Sequence, residues 1–371
     1  MSPSRNPSET AFRVAQRVGP RAEGVWDVFG ESLVRYEVHL TGRQVEMRRG
    51  PIELEGYGIR LIRPRTGGVG VGFASSTDLS DRGIDRAIDD ARAAGSQGLF
   101  PAASVELPSS SASAVAVESV DRELWARPEE RLERFVEGLL EPFGSGTGPS
   151  ASFGSVRATL AEATIANSSG IERRYVRSQV DLEFAVKSSD GPEGPAPGEY
   201  WVNRTGCRLE GLASPAMAES WRRKATEVRS ASPTPGGDAA VVLPPEVLSD
   251  IVPPILGFRL GGSAALRGMM PAPGTPIAVA SMEIWDDGLF PFGPSTAPWD
   301  DEGAPQGRRH LVEAGAFREG FFDSLHAGAV GRPATASARR DPPSSAPWFR
   351  FPQAPSPGPT TLVIPSGTGG S

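Results

Sequence analysis

Three histidines, one cysteine and one run of three adjacent carboxylates are the residues of this chain whose types could do chemistry. A hydrolytic zinc site takes three protein ligands, commonly two histidines on one helical face, with a carboxylate to activate water. His39, His310 and His326 do not make that pattern. His39 falls on the polar side of an alternating strand pattern and reads as a solvated residue. His310 and His326 stand sixteen residues apart, each with an acid three positions away, Glu313 and Asp323. Such pairs read as surface electrostatics, and an active metallopeptidase built on them would lack a second His at helical spacing. Cys207 is flanked by Arg204-Thr205-Gly206 and Arg208 with no histidine beside it, so it reads as a packed or surface thiol rather than a nucleophile.

Asp300-Asp301-Glu302-Gly303 is the densest acidic cluster. Three carboxylates could hold a hard cation, but these are consecutive rather than spaced along a ligand loop, and a polar turn is the favoured reading. Gly67-Gly68-Val69-Gly70-Val71-Gly72 reads as a hairpin turn with flanking strand glycines, because no strand-loop-helix setting surrounds it. The sequence contains no Gly-x-Ser-x-Gly elbow and no Gly-Lys-Ser/Thr step.

Around these residues the hydrophobic patterning predicts a succession of short elements. Leu33 to Val38 alternates, with Val34, Tyr36 and Val38 on one side and Arg35, Glu37 and His39 on the other. A turn at Thr41-Gly42-Arg43, renewed alternation at Val45 and Met47, and strands over Gly56 to Ile62 and Gly70 to Phe73 complete an antiparallel meander. A helix capped by Asp78 or Ser80 follows, with Ile84, Ala87, Ile88 and Ala91 on its buried face and Gly95 as its stop. These form a first region, 1–105. In a second, 106–235, the Ser/Ala-rich stretch Ala102 to Ser119 leads to a helix starting at Pro128 and carrying Leu132, Phe135, Val136, Leu139 and Leu140. A long hairpin then runs from Val156 through Asn167-Ser168-Ser169-Gly170 to Val186, followed by a loop over Ser188 to Gly198 and a surface helix over Ala216 to Val228. A third region, 236–371, opens with a short buried strand over Ala239 to Leu243. Its helix from Pro244-Pro245-Glu246 should end or kink at Pro253-Pro254. Beyond a strand-like Thr361 to Ile364 the sequence runs out in Gly367-Thr368-Gly369-Gly370-Ser371, so the C-terminal region reads as incomplete. The expected class is α+β: antiparallel sheets with flanking helices in the N-terminal part, and a β-rich, barrel- or sandwich-like C-terminal part.

Composition narrows the function. Against 45 Asp+Glu stand 38 Lys+Arg, a net charge of −7, which offers no basic face for nucleic acid. The longest strongly apolar runs, such as Ile251 to Phe258, fall short of the roughly 20 residues that cross a bilayer. The first thirty residues lack a signal-peptide core, and a single cysteine cannot close an internal disulfide. A cytoplasmic protein is expected. The 44 Gly and 36 Pro exceed the usual share of roughly 12% and favour turns over long helices.

Taken together, Trp26-Asp27-Val28-Phe29-Gly30-Glu31-Ser32, Tyr36-Glu37-Val38, Glu55-Gly56-Tyr57-Gly58-Ile59-Arg60, Val71-Gly72-Phe73-Ala74-Ser75, Asn167-Ser168-Ser169-Gly170 and Asp300-Asp301-Glu302-Gly303 with Arg308-Arg309 resemble the TldD/PmbA family in order and spacing. The resemblance implies cytoplasmic proteins that pair as a two-subunit metallopeptidase, one subunit holding zinc and cleaving unfolded or extended peptides in an enclosed chamber. In the catalytic branch a helix carries His-Glu-x-x-x-His and a later Cys completes the site. The matching segment here, Leu248-Ser249-Asp250-Ile251-Val252-Pro253-Pro254-Ile255, has no histidine and is similar to the PmbA/TldE branch, with Gly257 and Gly261-Gly262-Ser263 at its exit. The expectation is a non-catalytic subunit, with zinc in a TldD-like partner, no catalytic residue or metal ligand of its own, and Asp300, Asp301, Glu302 and Gly303 as motif positions of unassigned role. Extended peptide could add to a sheet edge. The alternative is a stand-alone peptide-binding or assembly protein, for example a homodimer, without peptidase activity.

Overall fold

The computed structural model describes residues 9–109, 115–144, 148–189, 197–233, 236–342 and 349–366. Most of the expected loop between Ser188 and Gly198, part of the Ala102 to Ser119 stretch and the final Gly367 to Ser371 lie outside these residues. The chain is built on one six-stranded antiparallel sheet. Its strands are β1 (Val25–Thr41), β2 (Gln44–Arg65), β3 (Gly68–Ser76), β4 (Ser150–Asn167), β5 (Glu172–Ser188) and β6 (Gly198–Gly206). The order across the sheet is β3-β2-β1-β4-β5-β6. The expected meander and long hairpin are thus the two halves of one sheet, joined where β1 pairs with β4 from Asp27↔Asn167 to Thr41↔Phe153.

Successive residues of a strand point to opposite faces, and β1 uses both. Val28 belongs to an apolar cluster with Tyr57, Ile59 and Leu61 that receives α1 (Thr10–Val18) and α2 (Asp81–Gln97) through Val14, Val18, Ile84, Ile88 and Ala91. Farther along, Val38 and Leu40 join Val156, Leu182 and Phe184 beneath α3 (Arg122–Ala126), α4 (Pro128–Leu140) and α5 (Pro215–Arg229). The helix expected at Ala216 to Val228 is α5, whose Trp221 and Ala225 are buried. Ser80 caps α2 by accepting the Gly83 N–H. Gly95 does not stop α2 but lies inside it: a methyl at Gly72 would collide with the Ala91 carbonyl, so paired glycines let helix and strand touch backbone to backbone.

The opposite face of β1 carries Asp27, Phe29, Glu31, Arg35 and Glu37, all buried. The reading of His39 as a solvated residue is therefore corrected, because the polar side it shares with Arg35 and Glu37 is covered. Arg35 Nε donates to Glu37 Oε1 at 2.6 Å, Arg35 Nη1 reaches Thr159 at 3.2 Å, and the half-buried His39 sits 3.3 Å from Glu37 Oε2. Charged side chains that satisfy one another can occupy a buried sheet face.

The third region covers part of that face. It contains α6 (Pro245–Leu260), α7 (Gly262–Leu266), β7 (Ile284–Asp287), β8 (Arg308–Glu313), β9 (Ala316–Phe317), α8 (Ser324–Val330), β10 (Ala338–Arg339), β11 (Ser356–Pro357) and β12 (Leu362–Val363). A small antiparallel sheet has the order β12-β7-β8-β9, and β10 pairs with β11. The α+β class with antiparallel sheets is observed. One expected strand is absent, and the helix expected to end or kink at its proline pair does not end there. Ala239 to Leu243 forms no strand and is exposed, Val242 at 93%. Helix α6 runs through Pro253 and Pro254. The carbonyls those prolines leave unbonded belong to Ser249 and Asp250, both exposed, so water can replace the missing donors. No helix among the described residues is long and apolar enough to cross a membrane.

Candidate functional site

The acidic run does form a turn: Asp300 N–H bonds the Ala304 carbonyl at 2.8 Å, Gly303 N–H bonds the Asp300 carbonyl at 3.0 Å, and Gly303 has φ +89°. A side chain is strained at such a φ, which is why glycine stands fourth. The turn is not a surface feature, however. Asp300, Asp301 and Glu302 are each 1% exposed, because the turn is pressed onto the charged face of β1.

Each carboxylate meets its own donors. Asp300 accepts the N–H groups of Glu302, Ala304 and Ala338 at 3.0, 2.8 and 3.1 Å. Asp301 accepts the Arg340 N–H at 2.7 Å and Arg350 Nη1 at 3.0 Å, with the Tyr175 hydroxyl at 3.4 Å. Glu302 accepts Arg60 Nη2 at 2.6 Å and both the N–H and hydroxyl of Ser324, at 2.9 and 2.7 Å. The arginines return to β1: Arg60 Nε reaches Asp27 at 2.6 Å, Arg340 Nη2 reaches Asp27 at 2.8 Å, and Arg350 Nε reaches Glu31 at 3.1 Å. Both Arg340 and Arg350 lie 5.0 Å from the ring centre of Phe29, between the two β1 acids.

Burial acts differently on the three acids. Burial, then the charge of Glu302, push Asp300 up to about 8 against its three N–H donors. Burial alone would raise Asp301 too, but the Arg350 and Arg339 charges and the Arg340 N–H outweigh it and hold that carboxyl low. Burial raises Glu302, with Asp323 and Asp27 adding to the effect and Arg60 opposing it. Arg60 stays charged: burial opposes the cation, yet Asp27 and Glu302 carry its pKa above the ordinary value.

A proton bound more tightly in the folded chain stabilises it below the unfolded pKa, and that stabilisation is lost as pH rises toward the folded value. Relative to Asp300→Asn, the wild-type chain should therefore lose stability steadily as pH rises from about 4 toward about 8. Urea unfolding of both proteins across that range measures the difference; a difference independent of pH would contradict the assignment.

The other sequence candidates are dispersed. Cys207 is buried with Sγ 2.8 Å from the Gly293 carbonyl, and burial raises its thiol to about 11, which disfavours the thiolate. His310 is half-exposed beside Trp285, ring centres 5.8 Å apart, and 4.0 Å from Glu283 rather than Glu313. The surface reading of His326 is corrected: it is 9% exposed, with Nδ1 2.7 Å from the fully buried Asp323 and Nε2 3.2 Å from the Ser263 hydroxyl. Gly67 to Gly72 is the β2–β3 hairpin. Among the described residues no three His, Cys, Asp or Glu side chains converge as a metal-binding group. The donors present do not fit zinc: the three imidazoles and the thiol sit on separate elements with other partners, and α6 offers no imidazole where the resemblance places two.

Asp27, Glu31 and Arg60 fall within segments that carry the family resemblance, but the sequence alone gives neither them nor Arg340 and Arg350 a role. One signal is available: Asp27, Phe29 and Glu31 recur at every second residue of the strand, as do Arg35 and Glu37 beyond them, and must share a face.

Comparison with known proteins gives this architecture its relatives. The family profile described as the PmbA/TldA metallopeptidase C-terminal domain matches residues 236–370, and that of PmbA/TldA metallopeptidase domain 1 matches residues 26–95. No curated protein matches the sequence significantly. Among solved structures, TldE from Thermococcus kodakarensis is similar with a TM-score of 0.73 at 17% identity, over 96% of this chain and 78% of that one. A candidate modulator of DNA gyrase from Thermotoga maritima has a TM-score of 0.72 at 13% identity, over 97% and 77%. Another from Bacteroides thetaiotaomicron has a TM-score of 0.75 at 15% identity, over 97% and 77%. These likenesses establish a shared fold. With two domains of one family matched in order over more than half of its residues, the chain belongs to the PmbA/TldD metallopeptidase family.

Proposed function

We propose that this chain is the non-catalytic, TldE-like subunit of a two-subunit zinc metallopeptidase acting on unfolded or extended peptides in the cytoplasm, with the zinc held by a TldD-like partner. The observation that carries the reading is the composition of α6: a member of a metallopeptidase family presents Ser249, Asp250, Pro253 and Pro254, and no histidine, on this helix. A zinc-bound hydroxide needs ligands that the helix does not supply. What remains for this subunit is to complete the chamber and present substrate. The terminal strand β6, with Trp201 49% exposed, supplies a margin where an extended peptide can add by main-chain hydrogen bonds.

The test is reconstitution with the histidine-bearing subunit from the same source. The two should co-purify, and cleavage of an unfolded peptide should need both chains and be lost with zinc chelation. Equal cleavage with and without this chain would overturn the proposal. A homodimer that binds peptide and never joins the second subunit would instead establish a stand-alone binding protein.

A further inference from the structure

We infer that Ser263, His326 and Asp323 form a nucleophilic triad that hydrolyses carboxylic esters. The inference is independent of the peptidase reading, since neither the acidic turn nor the sheet margin takes part in it.

The spacing of the three groups is set by the main chain. The Gly262 N–H bonds the Phe321 carbonyl at 2.8 Å, and the Phe321 N–H bonds the Leu260 carbonyl at 2.8 Å, so the start of α7 is registered against the segment leading into α8. Ser263 and His326 each lie in the first turn of one of these helices. Gly262 is essential to the approach, because a methyl there would strike the His326 side chain. Asp323 caps α8 and its Oδ1 accepts from both the His326 N–H and Nδ1, each at 2.7 Å. A carboxylate there fixes the proton on Nδ1 and leaves the Nε2 lone pair facing the Ser263 hydroxyl at 3.2 Å. Phe100 meets the imidazole edge-on at 5.1 Å and holds its plane. Asp323 is fully buried whereas Ser263 is exposed, so the orienting acid is shielded and the nucleophile is open to substrate. A helix cap alone would account for Asp323 and the His326 N–H; it does not account for the aligned hydroxyl on Nε2.

The chemistry balances within these groups and water. Ser263 Oγ bonds to the ester carbonyl carbon as its proton passes to His326 Nε2. The tetrahedral adduct collapses, the bond to the alkoxy oxygen breaks, and the leaving alcohol takes the proton from Nε2. A water molecule then attacks the acyl-serine, gives its proton to Nε2, and the carboxylic acid departs as that proton returns to Ser263 Oγ. Asp323 acts as a positioning residue.

Labelling with a fluorophosphonate probe, mapped by mass spectrometry, and release of p-nitrophenol from p-nitrophenyl acetate test the triad. The label should sit on Ser263 and be absent in Ser263→Ala, a change at an exposed position that leaves thermal unfolding unaltered. His326→Asn should slow turnover about 100-fold or more. Asp323→Asn keeps a capping side chain and should lower kcat about 100-fold or more with KM unchanged. Absence of label in the wild-type protein, label on another residue, or equal turnover in Ser263→Ala would overturn the inference.

Discussion

Replacement of Arg60 by methionine is expected to lower the stability of the protein by about 3–5 kcal/mol. Arg60 is 1% exposed and its guanidinium bridges Asp27 and Glu302 at 2.6 Å each, so removing it leaves two carboxylates buried without their shared cation. Arg340 still reaches Asp27, but Glu302 keeps only the Ser324 donors, with Asp323 adding unfavourable charge. The loss comes from the stranded charges rather than from the missing contact. Neutralising them in the same background, with Asp27→Asn and Glu302→Gln, should recover a substantial part of it. Urea unfolding of the wild type, the single variant and the triple variant measures this. A loss below about 1 kcal/mol in the single variant would mean that water reaches the carboxylates, and that the network is not closed.

A comparable loss, about 3–5 kcal/mol, is expected for Phe29→Ala. The ring is fully buried among Ile165, Trp299 and Phe351, where truncation leaves a cavity in the seam between the large sheet and the third region. It also carries two guanidinium groups on its π-system. Phe29→Leu separates the effects: it keeps much of the volume and loses the ring quadrupole. A pure volume change should cost under about 1.5 kcal/mol, whereas two desolvated cation–π contacts should bring the cost to about 2 kcal/mol or more. Thermal and urea unfolding of both variants decide between the outcomes, and a leucine variant as stable as the wild type would show the ring to be filler.

Much of the N-terminal architecture could be read in advance because local pattern and tertiary packing agree there. Ile84, Ala87, Ile88 and Ala91 lie on one helical face and are all buried. Val180, Leu182 and Phe184 alternate and face α4 and α5. The failures occur where the deciding partner is distant in sequence. Arg35 and Glu37 look like a solvated edge until their mutual ion pair is known. Asp300 to Glu302 look like a polar turn because their donors, the Arg60 and Arg350 guanidinium groups and the Arg340 N–H, come from remote parts of the chain. Val241 and Val242 have strand propensity but pair with no strand among the described residues. Periodicity reports which face a residue shares, not what covers that face, and a buried charged face looks the same as a wet one.

The strand order has a consequence for synthesis. The first two hairpins, β1 through β3, are local and can close as soon as residue 76 is made, but the second flank of β1 belongs to β4, which begins only at Ser150. Between those events a nascent chain on the ribosome carries an unmated ribbon whose other surface bears Asp27, Phe29 and Glu31, still awaiting arginines from positions 340 and 350. Those embedded ions make the waiting ribbon hydrophilic, which discourages neighbouring chains on a polysome from annealing to it.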